Sequence, residues 1–380
     1  MACYPLRYMH CGPLRFAAAA ALACVSLRAE IRGAWVDRSS LVTREEIRAT
    51  LGNLAAANFN TVHVNVWSRG YPLWRSEVFE RETGLTTDPA FSNRDVLWEV
   101  IEEAKPLGLS VVPWFEYGFV GGFSGYFPGR SGRGPIFDKH PEWLARNRRG
   151  DAAFPIGGGG FYFWLIHTLP EAQDFLITLV REVAAGYDVP AVEFDRSRYP
   201  ELDCGYDDYT RSLYAESHAG APPPDNPNDA EWLRWRTEQM NLFLQRLHRG
   251  VKAADWRVLV TNAPVPLPTS VSNFAQDYGA WVRQGSLDFV SPQLYRRDAA
   301  SFERDLNNQI RALPSTERLV PGLDITNSNP AELVRMIEIA REKGLPGVVI
   351  WYYRALLTSG ALRHLRETVF AEPSPVPWRR

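Results

Sequence analysis

The sequence predicts an α/β fold, a single (β/α)8 TIM barrel with long βα loops after strands 3 and 4, and three observations predict it. Short apolar runs alternate with amphipathic helical patterns from Ile31 onward. Eight such runs occur before the C-terminal tail. No glycine-rich turn follows the first of them. Strands alternating with helices require parallel pairing and right-handed crossovers, and eight repeats suit a closed barrel. A doubly wound open sheet is the rival arrangement, but it usually announces itself with GxGxxG, which IRGAWVDRSS lacks.

Each element has its own justification. Run one is IRGAWVD, 31–37, followed by a helix from Thr43 with Glu45 and Glu46 in its first turn and Ile47, Leu51, Leu54 and Ala55 on one face. Run two is TVHVNVW, 61–67. The next helix, opened by Ser92 or Asn93, buries Leu97, Val100, Ile101 and Ala104. Run three is LSVVPWFEY, 109–117. A long irregular insert leads to a helix carrying Leu176, Leu179, Val180 and Val183, and run four is AVEFD, 191–195.

The second half repeats the pattern. A helix from Asp229 presents Met240, Phe243, Leu244, Leu247 and Val251 at helical spacing. Runs five, six and seven are RVLVTNAP (257–264), LDFVSPQLY (287–295) and RLVPGLDI (318–325). A helix with Leu333, Met336, Ile337 and Ala340 precedes run eight, GVVIWYY, 347–353. GGGG at 157–160 does not follow a strand, so it reads as a flexible loop rather than a phosphate cradle. APPPDNPND, 221–229, is a stop before a helix rather than a domain linker.

Composition is that of a globular chain, 45% hydrophobic and 23% charged over 380 residues. A formal net charge of -2 offers no electrostatic argument for nucleic acid or an anionic membrane. Arg7 and Arg15 precede FAAAAALACVSL, a run too short to span a bilayer, with small residues following near Ala29. Residues 1–29 therefore read as a secretory leader and the protein as exported, periplasmic or extracellular, with a barrel over 30–370 and a tail over 371–380. ALAC also resembles a loose lipoprotein box, which would make Cys24 a lipid anchor; an overlong gene start is the alternative. Removing that leader takes Cys3, Cys11 and Cys24 and leaves Cys204 alone, so no internal disulfide is expected. No metal-ligand spacing stands out, and oligomeric state is not legible.

In a barrel, chemistry sits where strands end. The predicted strand ends carry Asp37, Trp67, Arg69, Trp114, Glu116, Tyr117, Glu193, Asp195, Asn262, Gln293, Tyr295, Arg296, Asp324 and Trp351 to Tyr353. Acids, amides and aromatics on one rim describe a carbohydrate site. Sugars offer hydroxyls to polar groups and C–H faces to rings, while two carboxyl groups can run acid/base or nucleophilic chemistry with no cofactor. Blander readings stand beside this one. Trp164, Trp351 and Tyr353 can fill barrel layers or brace loops, and Asp37 and Asp324 can orient neighbouring groups or bind loop backbones. His63 and Asn65 share the parity of Trp67 and point inward. Glu193 faces inward if Asp195 does.

RGAWVD, NFNTVHVNVW, GYPLW, VVPWFEYGF, HPEWLARNRRG, FDRSRYP, GYDDYTRSLY, PPPDNPNDAEWLRWR, DFVSPQLY and GVVIWYY together resemble the glycosyl-hydrolase-like 10 family. The resemblance runs from Ile31 to about Leu357. It implies a TIM-barrel protein, often exported, that hydrolyses glycosidic bonds in a polysaccharide or peptidoglycan glycan. The family's strand-four motif reads like G-I-x-F-D-D-x-x-x-P, so its first acid falls on Asp195 while Arg196 replaces the second. Asp195 is then the expected nucleophile or charge stabiliser, Glu116 the general acid/base, and Glu193 the fallback partner. Trp67, Arg69, Tyr71, Trp114, Tyr117, Asn262, Gln293, Tyr295, Asp324, Trp351 and Tyr353 are the expected substrate contacts. Two other readings remain: a non-catalytic glycan-binding barrel that lost an acid at Arg196, and a barrel hydrolase of another class, such as an amidase or phosphoesterase.

Overall fold

A computed structural model describes residues 29–127 and 129–378. Residues 1–28, nearly all of the expected leader and including Cys24, lie outside the described residues. Seven strands form one parallel sheet: β1 (Ile31–Val36), β2 (Thr61–Asn65), β3 (Ser110–Phe115), β4 (Ala191–Phe194), β5 (Leu259–Thr261), β6 (Gly322–Asp324) and β7 (Gly347–Trp351). Their order is β5-β4-β3-β2-β1-β7-β6, with β2 opposite both β1 and β3 in the same hydrogen-bonded layer.

Run six is not a regular strand, contrary to expectation. It makes isolated parallel bridges instead, Val290 with Leu319 and Gln293 with Gly322. On its other side the amides of Asp288, Ser291 and Gln293 donate to the carbonyls of Val260, Asn262 and Pro264 at 2.9, 2.8 and 2.9 Å. Pro292 has no N–H to give, which interrupts the ladder. The segment nonetheless touches both edge strands, β5 and β6, so the sheet curls on itself as an α/β barrel does.

Alternate residues of the strands meet inside the curl. Trp35, Val112, Trp114, Ala191, Phe289 and Val349 form a buried cluster there, separate from the larger core between sheet and helices. The outer layer follows the predicted faces. Helix Arg44–Ala56 starts at a Thr43–Glu46 capping box and buries Ile47, Leu51 and Leu54. Helix Ala230–Ala254 is capped by Asp229 and buries Met240, Phe243, Leu244, Leu247 and Val251. One helix start moves: Asp95, not Ser92 or Asn93, caps Val96–Ala104. Ser92 and Asn93 take left-handed backbone (φ 51° and 60°) after the short turn Pro89–Phe91 and cannot begin a helix.

The excursions hold two departures. The insert after β3 is not irregular, since Val120–Phe123, Phe154–Pro155 and Phe161–Trp164 build a three-stranded antiparallel sheet. The glycine run turns the chain between its last two strands, with φ near +98°, +97° and +89° at Gly158, Gly159 and Gly160. A further excursion follows β2, with a two-stranded hairpin and helix Glu77–Thr83. The tail lies under the barrel: Trp378 stacks on Phe289 at 5.5 Å, and the Glu30 amide reaches the Pro375 carbonyl at 3.1 Å. No described helix is long and apolar enough to cross a membrane.

Candidate active site

The site begins with register. Phe115 on β3 sits opposite Phe194 on β4, so the next residue on each strand, Glu116 and Asp195, leaves the sheet at the same level. Gly118 lets the two exits touch. A Cβ there would lie 2.1 Å from the Asp195 carbonyl oxygen, and its φ of +43° suits glycine. Of the residues expected at the rim, Trp114, Glu116, Asp195, Gln293, Tyr295 and Trp351 line one cavity of about 200 Å3. A larger cavity of about 350 Å3 lies at the other end of the barrel, between Ser110, Pro190 and Trp378, and has no pair of convergent carboxylates.

Both acids are held above the ordinary carboxylate range. Burial pushes Glu116 up to about 7, helped by the charges of Asp195 and Asp37 and opposed by Arg196 and by the Asn65 amide, which donates to Oε2. Burial raises Asp195 to about 6, opposed by the Arg196 charge and backbone N–H. Trp114 Nε1 donates to Asp195 Oδ2 at 3.4 Å. The Arg196 guanidinium therefore serves both acids, yet its ion pair is with Glu116, at 3.6 Å. It lies over the Tyr117 ring at 4.4 Å, on a residue whose own backbone is left-handed (φ 44°). Tyr295 is kept protonated by burial and the surrounding acids, so its hydroxyl is a donor throughout the neutral range.

Glu193 is elsewhere. It sits inside the barrel, where Trp35 Nε1 donates to Oε1 at 2.7 Å and His63 Nδ1 stands 3.1 Å from Oε2. The fallback acid is thus occupied by interior partners and does not line the cavity. Other expected contacts also do different work. Trp67 is fully buried and donates to the Gly118 carbonyl at 3.0 Å. Tyr71 donates to the Phe127 carbonyl, and Asn262 spends its amide on the Phe194 carbonyl and on Ser197 Oγ at 3.2 Å. Asp324 accepts from the Thr326 amide and hydroxyl, both at 2.7 Å, and so braces its own loop. Tyr353 faces a different cavity with Ser40 and Glu46, because the chain turns into helix Tyr353–Thr358 straight after β7. Arg69 packs over Phe123 at 5.0 Å, and Tyr117 is the platform under Arg196 rather than a cavity wall.

Residues that strand-end reasoning missed come from the insert and from the β4 exit. Tyr162 and Trp164 line a second cavity of about 180 Å3 that shares Arg196 and Arg198 with the first. His167 is buried between Trp164 and Tyr199, at ring distances of 5.8 and 4.1 Å, and its Nε2 bonds the Arg198 carbonyl at 3.1 Å. Burial lowers its pKa to about 3, so it is neutral. The available signal was GGGGFYFW, a turn followed by an aromatic strand.

The profile of the family described as Glycosyl hydrolase-like 10 matches residues 30–322. The chain belongs to that family. Glycosyl hydrolase YngK of Bacillus subtilis (strain 168) is 25% identical over 234 residues, covering 54% of this chain and 42% of the relative. Glycosyl hydrolase DigH of Escherichia coli (strain K12) is 25% identical over 284 residues, covering 67% and 59%. The chain thus spans about half the length of the curated relatives it matches. Among solved structures, the glycoside hydrolase domain of PgaB (BpsB) from Bordetella bronchiseptica superposes with a TM-score of 0.64 at 13% identity, over 89% of this chain and 98% of that one. The catalytic domain of a Paenibacillus polymyxa β-amylase gives 0.63 at 12% identity, over 92% and 100%. At such identities these likenesses speak for the fold alone, an α/β barrel. The two acids stand at strand exits, the end of an α/β barrel where side chains from neighbouring strands converge.

Proposed function

We propose that this family member is an exported glycoside hydrolase cleaving O-glycosidic bonds in a polysaccharide or a peptidoglycan glycan strand. The barrel is read as a full (β/α)8 barrel in which residues 288–293 supply the eighth stave. One observation carries the reading: two carboxyl groups on adjacent strand exits, both with raised pKa, share an aromatic-lined cavity. Glu116, at about 7, holds its proton near neutral pH and can give it to the leaving glycosidic oxygen. Asp195, at about 6, is ionised there and meets the anomeric carbon as nucleophile or as counter-charge to the developing oxocarbenium ion. Glu116, now ionised, then takes a proton from the incoming water. Arg196 stabilises whichever carboxylate is charged at each stage. The early apolar run supports export, and Cys24 is the candidate anchor if that run is a lipoprotein leader.

The binding-module reading has one observation in its favour, since Arg196 occupies the family's second acid position and pairs with Glu116. Against it, Asp195 has no side-chain ion pair among the described residues; Arg196 offers it a backbone N–H, and its guanidinium goes to Glu116. The test is reducing-end release from peptidoglycan glycan strands and a panel of polysaccharides. Asp195→Asn should abolish turnover while circular dichroism stays unchanged. Turnover untouched by that substitution would refute the mechanism, and glycan retention without product from the unaltered protein would favour the binding module.

A further inference from the structure

The second cavity has a chemistry unlike the first. Its side chains are aromatic and aliphatic except for Arg196 and Arg198, and no carboxylate lines it. The hydrogen-bonding atoms left without partners there are donors. Arg196 Nη1 and Trp164 Nε1 are buried and unpartnered. The Arg198 guanidinium forms no ion pair or side-chain hydrogen bond among the described residues, and lies only over the Phe274 ring at 4.7 Å. Fixed donors converging on one space suit an anion with several acceptor oxygens.

Charge balance narrows the ligand. Arg196 pairs with Glu116 and faces Asp195, whereas Arg198 acts on Asp195 through its charge alone and has no ion-pair partner among the described residues. His167 holds the Arg198 carbonyl from below, fixing the residue at the junction where the two cavities meet. Tyr162 and Phe154 supply rings of the kind that pack on sugar faces.

We infer that the cavity between Trp164 and Arg198 is a subsite for a carboxylate-bearing sugar, placed next to the bond-cleaving pair, so that the preferred glycan is acidic. This rests on the glycan reading of the same site. A sugar carboxylate has two sources, a uronic acid with the group on the ring carbon or an N-acetylmuramic acid with it on an ether-linked side chain; both present a planar anion that an arginine fork can bind in two places.

Calorimetric binding to the Asp195→Asn protein separates this inference from catalysis. The probes are a glucuronate-containing oligosaccharide, an N-acetylglucosamine–N-acetylmuramic acid oligomer, and the carboxyl-reduced form of each. At least one acidic probe should bind about tenfold to a hundredfold more tightly than its reduced form, as expected for a charge-assisted pair. Arg198→Gln should erase that difference, Arg198→Lys should restore part of it, and Trp164→Phe should weaken the acidic probe alone. Which acidic probe wins identifies the source. Equal affinity for acidic and reduced probes, no binding of either acidic probe, or a preference that survives in a folded Arg198→Gln protein would each overturn the inference. If the preference holds but the unaltered protein releases no product from any glycan, the hydrolase reading fails and the subsite stands.

Discussion

At the residue scale, the decisive features are the two raised carboxyls and the arginine between them. Ionised Asp195 and protonated Glu116 coexist best between about pH 6 and 7, so kcat/KM should describe a narrow bell with limbs near those values. Arg196→Gln removes the shared cation; both limbs should move to higher pH, and a profile that stays put would show Arg196 to be electrostatically idle. The same shifts bear on stability. The ordinary values are 3.8 for Asp195 and 4.5 for Glu116, so the folded state keeps protons that the unfolded chain releases. The contribution of these two groups to folding is therefore greatest below about pH 4, and it is lost as pH rises through 6 and 7. Asp195→Asn and Glu116→Gln should each stabilise the protein at pH 8, by roughly 1–3 kcal/mol in urea unfolding. Identical stability curves for variant and parent would contradict the burial argument. The β4 exit was only half readable: Asp195 followed from its position, but that Arg196 pairs with Glu116, while Arg198 has no ion-pair partner among the described residues, depends on a partner 80 residues away and on an insert.

At the element scale, the β3 and β4 exits work as one unit. Their contact depends on Gly118, where a side chain would strike the Asp195 backbone. Gly118→Ala should cost about 2 kcal/mol or more and, by displacing Asp195, lower kcat far more than it changes KM. A variant with parental kcat would mean that the two exits are positioned independently. Element recognition from the sequence was best where periodicity was strong, as in helices Arg44–Ala56 and Ala230–Ala254. It failed where local backbone overrode it. Left-handed Ser92 and Asn93 delay one helix, and Pro292 breaks up the sixth run. The insert was misjudged because its strands are two to four residues long, too short for alternation to register.

At the scale of the whole molecule, the two ends of the barrel divide the labour. The acids open at the ends of β3 and β4, while the tail closes the opposite end through Trp378 on Phe289 and the Glu30–Pro375 backbone bond. Ending the chain at 370 should lower stability by roughly 2–4 kcal/mol from lost aromatic burial. Activity per folded molecule should stay near that of the full chain; a matching loss of activity would mean that the bottom of the barrel communicates with the site.

The sequence by itself determined the alternating α/β architecture, the barrel class and the placing of Glu116 and Asp195 at strand exits, because these follow from local periodicity and from position along a strand; the family was legible through the resemblance of its colinear segments. The tertiary structure alone decided which side chains meet. It gave Glu193 to Trp35 and His63, Glu116 to Asn65 and Arg196, and Arg198 to the junction between the acid-bearing cavity and an acid-free one. Such pairings depend on strand register and on a folded insert, so they join residues far apart in the chain by contacts that no local pattern encodes.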